Sequence, residues 1–123
     1  MAERLPRVLV CGDRLWSNGA LVERELRRLG RVTVVEGECR GADALGRDAA
    51  LRLGLPVEGF PADWRRYGRA AGPIRNAAML ASGIDRVLAF HNDLATSRGT
   101  ADMVRRAKRA GVAVTIVTEK EER

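Results

Sequence analysis

Histidine occurs once in this 123-residue chain and cysteine only twice. A zinc centre is built from clusters of those two residue types, so none is expected, and no cofactor is implied. Cys11 and Cys39 lack the C-x-x-C spacing of a redox or metal pair; in a reducing compartment they read as packed or site-lining thiols rather than a disulfide. No apolar run approaches the roughly 18 residues of a membrane span. The first six residues also lack the apolar core of a signal peptide, so a cytoplasmic protein without membrane contact is expected. Internal repeats and low-complexity segments are missing too, which excludes solenoid and linker architectures.

What is present is 46% hydrophobic and 31% charged, the make-up of one soluble globular domain, expected over residues 1–118 with a polar tail at 119–123. The net charge of +6 favours an anionic partner such as a nucleotide, a phosphate or a nucleic acid. Much of that charge falls on helical stretches (Arg24, Arg27 and Arg28; Arg105, Arg106, Lys108 and Arg109), where a solvated face explains it.

Aliphatic runs at 7–11, 32–35, 57–60, 86–90 and 112–117 read as five strands. Between them lie amphipathic patterns: Leu21, Val22, Leu26 and Leu29, then Ala44 to Leu53, then a helix through Met79 and Leu80, then 103–110. Ser17 or Asn18 caps the first and Gly30 stops it. Pro73 suits the first turn of the third. The order β-α-β-α-β-loop-α-β-α-β predicts an α/β fold, a five-stranded and mainly parallel sheet with helices on both faces. In such sheets ligands bind beyond the carboxyl ends of the strands.

Four turns converge on that edge. After the fourth strand, Thr96-Ser97-Arg98-Gly99-Thr100-Ala101-Asp102 combines a glycine for close backbone approach, hydroxyls that cap a helix or donate to an anion, and a planar cationic fork. After the first come Gly12, Arg14 and Trp16; after the second, Arg40 and Gly41 form another anion cradle, with Asp43 either capping the next helix or meeting the ligand. The long connection 62–76 places Trp64 and Tyr67 beside several arginines, either to stack a base or as a core lid, and sets Arg75 and Asn76 at a positive helix end. His91, at a strand end, faces the same cleft, in reach of base or phosphate.

The pattern Gly12-Asp13-Arg14-x-Trp16, Gly37-x-x-Arg40-Gly41-Ala42-Asp43, Trp64-x-x-x-Gly68-x-x-Ala71-Gly72-Pro73-x-Arg75-Asn76-x-x-Met79, Ala89-Phe90 and Ser97-Arg98-Gly99-Thr100 resembles the YspA-like branch of the SLOG superfamily, which joins the DNA-processing protein DprA and the LOG enzymes. The resemblance covers nearly the whole chain. It implies a Rossmann-like domain, a site for a nucleotide or nucleotide derivative, and a homodimer. LOG enzymes cleave base from ribose phosphate, and the resemblance sets Arg75 in the place of their arginine and Gly99-Thr100 in the place of their Gly-Thr. Met103, however, stands where their glutamate falls, and the glycines before the Gly-Thr are replaced by Thr96, Ser97 and Arg98. N-glycosidic hydrolysis passes through a cationic sugar and needs a carboxylate, for which Asp102, Asp93, Asp43 or Asp13 are the substitutes. Three functions follow: a binding or sensing module for a nucleotide-derived ligand, a hydrolase with Arg75 and Asp102 as catalytic residues, and a single-stranded nucleic-acid binder.

Overall fold

The structure is a computed structural model that describes residues 4–119. Five strands, Arg7–Gly12 (β1), Thr33–Glu36 (β2), Val57–Gly59 (β3), Arg86–Phe90 (β4) and Ala113–Val117 (β5), form one sheet in the order β3-β2-β1-β4-β5. Every pairing is parallel, as in β1 against β4, where Val8 meets Arg86 and Gly12 meets Phe90. The expected sheet is therefore present, and parallel throughout rather than mainly so. Its central strands carry unbroken apolar runs because both of their faces are covered.

Helices Gly19–Leu29 (α1) and Ala42–Leu53 (α2) cover one face, where Leu21, Val22, Leu26, Ala49 and Ala50 pack on Val8, Val10, Val34, Leu88 and Phe90. Past the single turn Trp64–Tyr67 (α3), helices Ala71–Ala81 (α4) and Gly99–Arg109 (α5) cover the other face. There Met79, Met103, Val104 and Ala107 meet Leu9, Cys11, Val35, Val87 and Ala89. The alternation of Leu9 and Cys11 against Val8 and Val10 is the period of two of a strand whose faces feed separate cores. The helices change face between β1 and β4, so a crevice opens beyond the carboxyl ends of those strands.

Some local boundaries differ from the sequence reading, for identifiable reasons. Asn18 is the residue that caps α1, its side chain accepting from the Leu21 amide at 3.0 Å. The connection 62–76 is more regular than its composition suggests, because Asp63 accepts from the Arg66 amide at 3.1 Å and starts α3, and a 3-10 turn over Gly68–Ala70 runs into α4. Helix α5 begins at Gly99, four residues before 103, because the Ser97 hydroxyl takes the Thr100 and Ala101 amides at 3.0 and 3.2 Å. Glu119, assigned from sequence to the tail, accepts from Asn18 and Asn92 at 3.1 and 2.9 Å, and residues 120–123 lie outside the described residues. Among the described residues no helix is long and apolar enough to cross a membrane.

The two edges of the sheet use arginine differently. At the amino edge Arg7 is buried, paired through both terminal nitrogens with Glu58 at 2.7 and 2.9 Å, and bonded through Nε to the Gly83 carbonyl at 2.9 Å. That cation is committed to the fold. At the carboxyl edge Arg14 and Arg98 are exposed instead.

Candidate functional site

A cleft of about 390 Å³ opens at the face change between β1 and β4. Its first wall is the turn after β1. Gly12 has φ +155 and a side chain there would meet the Phe90 carbonyl at 2.2 Å, so only glycine lets the chain turn this tightly against β4. The Asp13 amide then bonds the Phe90 carbonyl at 2.9 Å, and Arg14 is left exposed on the rim.

The second wall is the turn after β2. Gly41, at φ +75, lies so close to the Asp13 and Arg14 backbone that a side chain would overlap both, and the Ala42 amide bonds the Asp13 carbonyl at 3.1 Å. The two turns are thereby locked together. Asp43, in the first turn of α2, directs Oδ2 at the Gly37 amide (3.0 Å) and the Cys39 amide (3.4 Å). Burial pushes its carboxyl up to about 6 from an ordinary 3.8. Nearby Glu36 adds to the rise, while the Cys39 and Gly37 amides and the Arg75 guanidinium oppose it.

Helix α4 supplies Arg75 and Asn76. The Arg75 guanidinium is braced on the Gly37 carbonyl at 2.5 Å, the Phe60 carbonyl at 3.4 Å, Asn76 Oδ1 at 3.0 Å and Cys39 Sγ at 3.8 Å. Gly37 makes room for it, since a Cβ there would sit 2.4 Å from a guanidinium nitrogen. Asn76 is buried and its amide nitrogen donates to the Gly99 carbonyl at 3.3 Å and to Asp102 at 3.0 Å, fastening α4 to the start of α5.

The last wall is the N-terminus of α5. With the Thr100 and Ala101 amides held by Ser97, those of Arg98 and Gly99 have no partner among the described residues and sit at the positive end of the helix. Arg98 is exposed at the cleft mouth, and Thr100 is buried beneath it. His91 is buried at the end of β4; its Nδ1 accepts the Asp93 amide at 3.0 Å, and its Nε2 lies 4.0 Å from Asp13. The floor is Cys11, Met79 and Met103, a band of sulfur and methylene. Burial, reinforced by the charge of Asp43, drives the Cys11 thiol far above its ordinary range and leaves it protonated.

The cleft thus brings together Gly12, Arg14, Asp43, Arg75, Asn76, His91, Ser97, Arg98, Gly99 and Thr100. It does not gather the rest of the expected set. Trp16 is a core residue, 5% exposed, tilted on Phe90 at 5.7 Å with its indole nitrogen donating to the Asn18 carbonyl. Arg40 is exposed and off the wall, and Gly41 serves the turn rather than the ligand. Trp64 and Tyr67 stand away from the cleft, 49% and 39% exposed, with Arg66 stacked 5.0 Å over the Tyr67 ring. Asp102 is off the cleft wall too: Oδ2 accepts from Asn76 and from Arg106 at 2.8 Å, which makes it a clamp between helices. Sequence reasoning did not place Met79 on the wall, though it has a signal, since it falls one turn beyond Arg75 on the same helix face. Both cysteines do line the site as free thiols, one of the two roles expected of them.

Comparisons with known proteins agree with this fold. The gene 61 protein of Mycobacterium phage D29 is 37% identical over 120 residues, spanning 88% of this chain and 93% of that protein. The structure of DNA processing protein A (DprA) from Streptococcus pneumoniae superposes with a TM-score of 0.73 at 21% identity, covering 91% of this chain; the chain spans half the length of that one, and the likeness is one of fold. The model of the YspA, cpYpsA-related SLOG family matches residues 6–67, from the start of β1 to the end of α3. The chain belongs to the YspA, cpYpsA-related SLOG family.

Proposed function

We infer that the chain binds a nucleotide or nucleotide-derived ligand in this cleft, as a binding or sensing module. The observation that carries this reading is the state of its arginines. On α1, Arg27 and Arg28 reach Glu23 and Glu25; on α5, Arg105 and Arg106 reach Asp102. Arg14, Arg75 and Arg98, on the cleft wall, have no carboxylate within ion-pair distance among the described residues. The guanidinium groups of Arg14 and Arg98 have no partner among the described residues, and beside two unpartnered helix N-terminal amides they suit a phosphate, while Arg75, braced on the Gly37 and Phe60 carbonyls, adds positive charge to the wall. The floor of Cys11, Met79 and Met103 suits the flat apolar face of a base, since sulfur packs well on aromatic rings. A volume of about 390 Å³ falls in the range of small-molecule sites, about 300 to 1,000 Å³.

Binding is favoured over hydrolysis because Met103 puts a thioether at the floor where the resemblance expects a carboxylate, and Asp102 is engaged by Asn76 and Arg106. The two acids that do line the cleft, Asp13 and Asp43, brace their own turns through the Leu15 amide and the Gly37 and Cys39 amides. Thermal unfolding with AMP, GMP, CMP and UMP tests the reading. At least one is expected to raise the midpoint without releasing free base. Arg98→Ala should weaken that ligand by about 1.5 to 3 kcal/mol, the value of a charge-assisted contact. If none of the four stabilises the protein, the reading fails.

A separate observation supports a second activity. Trp64 and Tyr67 are exposed beside Arg65, Arg66 and Arg69, outside the cleft, a combination of stacking faces and cations that suits single-stranded nucleic acid. Oligonucleotide affinity that falls steeply with salt and with Trp64→Ala, but not with Arg98→Ala, is the expected result.

A further inference from the structure

Asp43 is 6% exposed, yet no cation lies within ion-pair distance of it among the described residues. A carboxylate withdrawn from water without a counter-ion is unfavourable unless it is fully hydrogen-bonded. Only half of it is. Oδ2 receives the Gly37 and Cys39 amides, while Oδ1 has no partner among the described residues. Those residues contain no sealed side-chain oxygen lacking a partner, so Oδ1 is open to solvent, and the open space that Asp43 lines is the cleft.

We propose that Asp43 selects the ligand: its unpartnered Oδ1 accepts a hydrogen bond from a neutral donor on the bound molecule, either a ribose hydroxyl or a base N–H. This rests on the nucleotide reading of the cleft. The charges around Asp43 decide what part of the ligand it meets. It faces Glu36 from the end of β2, Cys11 from β1, Cys39 from its own turn and Arg75 from α4, while Asp13 and His91 also line the cleft. A phosphate beside Asp43 would set like charge against like. The phosphate therefore takes the α5 end with Arg98 and Gly99, and the uncharged body of the ligand lies toward Asp43, over Cys11.

A merely structural Asp43 would brace the 37–39 turn through Oδ2 and nothing more. Asparagine keeps that brace, because its oxygen still accepts the two amides, and turns a donor toward the ligand in place of an acceptor. The experiment measures the affinities of the best-binding mononucleotide, its 2′-deoxy and 3′-deoxy forms, and an analogue lacking the base N–H donor, on wild type and Asp43→Asn, at pH 8 and pH 5. On wild type at pH 8, one donor-lacking analogue should bind roughly 10- to 100-fold more weakly than its parent. Which analogue fails tells hydroxyl from base. That discrimination should shrink at pH 5, where Asp43 is protonated, and in Asp43→Asn at both pH values, fully for a base N–H, which only donates, and in part for a ribose hydroxyl, which can also accept from the amide. Each ratio compares ligands with the same phosphate, so the phosphate's own titration cancels. Wild-type ratios at the two pH values test the proposal even if the variant fails to fold. Equal affinities for all analogues, or discrimination unchanged by pH and by Asp43→Asn, would overturn the selection while leaving the nucleotide site intact. No binding by any mononucleotide would overturn both.

Discussion

Replacing Asp43 by asparagine should stabilise the empty protein at pH 8. The carboxyl, ordinarily near 3.8, sits at about 6 in the folded chain, chiefly because burial penalises its charge. A folded-state value raised above the unfolded one means that the native state holds its proton more tightly. The contribution to stability is then complete below the unfolded value and disappears as pH rises through about 6. A rise of roughly two units at about 1.4 kcal/mol each makes the ionised Asp43 cost on the order of 3 kcal/mol at pH 8. Asparagine keeps the Gly37 and Cys39 contacts without the buried charge. Urea unfolding of both proteins from pH 4 to pH 8 reads the difference directly, with unrelated titrations cancelling. The variant's advantage should be near zero at pH 4, grow between pH 4 and 7, and approach that magnitude by pH 8. A variant less stable than wild type at pH 8, or an advantage independent of pH, would refute the reasoning and make the carboxylate a net brace of the turn.

Two other perturbations probe the same walls. Gly12→Ala places a methyl group against the Phe90 carbonyl and the Ala42 side chain at a positive φ, and should cost at least about 2 kcal/mol in denaturant unfolding. With a water-soluble thiol reagent at pH 8, half-buried Cys39 should react well before buried Cys11, whose raised pKa keeps it neutral, and a bound mononucleotide should slow the reaction at Cys39, read by mass spectrometry of the labelled peptides.

Much of the architecture was legible because it is written in runs. Residues 8–11 and 87–90 are apolar without interruption, as strands buried on both sides must be, and the glycines after the first two strands, Gly12 and Gly37, mark where the chain turns over the edge. Arg75 and Arg98 were legible as site residues because each falls near the start of a helix that follows a turn, a relation fixed by chain order. Trp16 was not, since a single aromatic among polar turn residues has no periodicity to show that its ring folds back on Phe90. Asp102 and Asp43 look alike from sequence, an acid in the first turn of a helix. Only tertiary contacts separate them: Asn76 and Arg106 saturate one, whereas the other is buried with an oxygen to spare. The exposure of Trp64 and Tyr67 was hidden for a similar reason, because α3 is one turn long and too short for a face to be read.

The nucleotide site itself is tested most directly by amide chemical-shift mapping as AMP, GMP, CMP or UMP is added to isotopically labelled protein. Saturable shifts are expected at Gly12, Arg14, Arg98 and Gly99, with the amino-edge residues Arg7, Ser82 and Gly83 unmoved. Shifts confined to α3, or none with any of the four, would contradict a nucleotide seat at the carboxyl edge of the sheet.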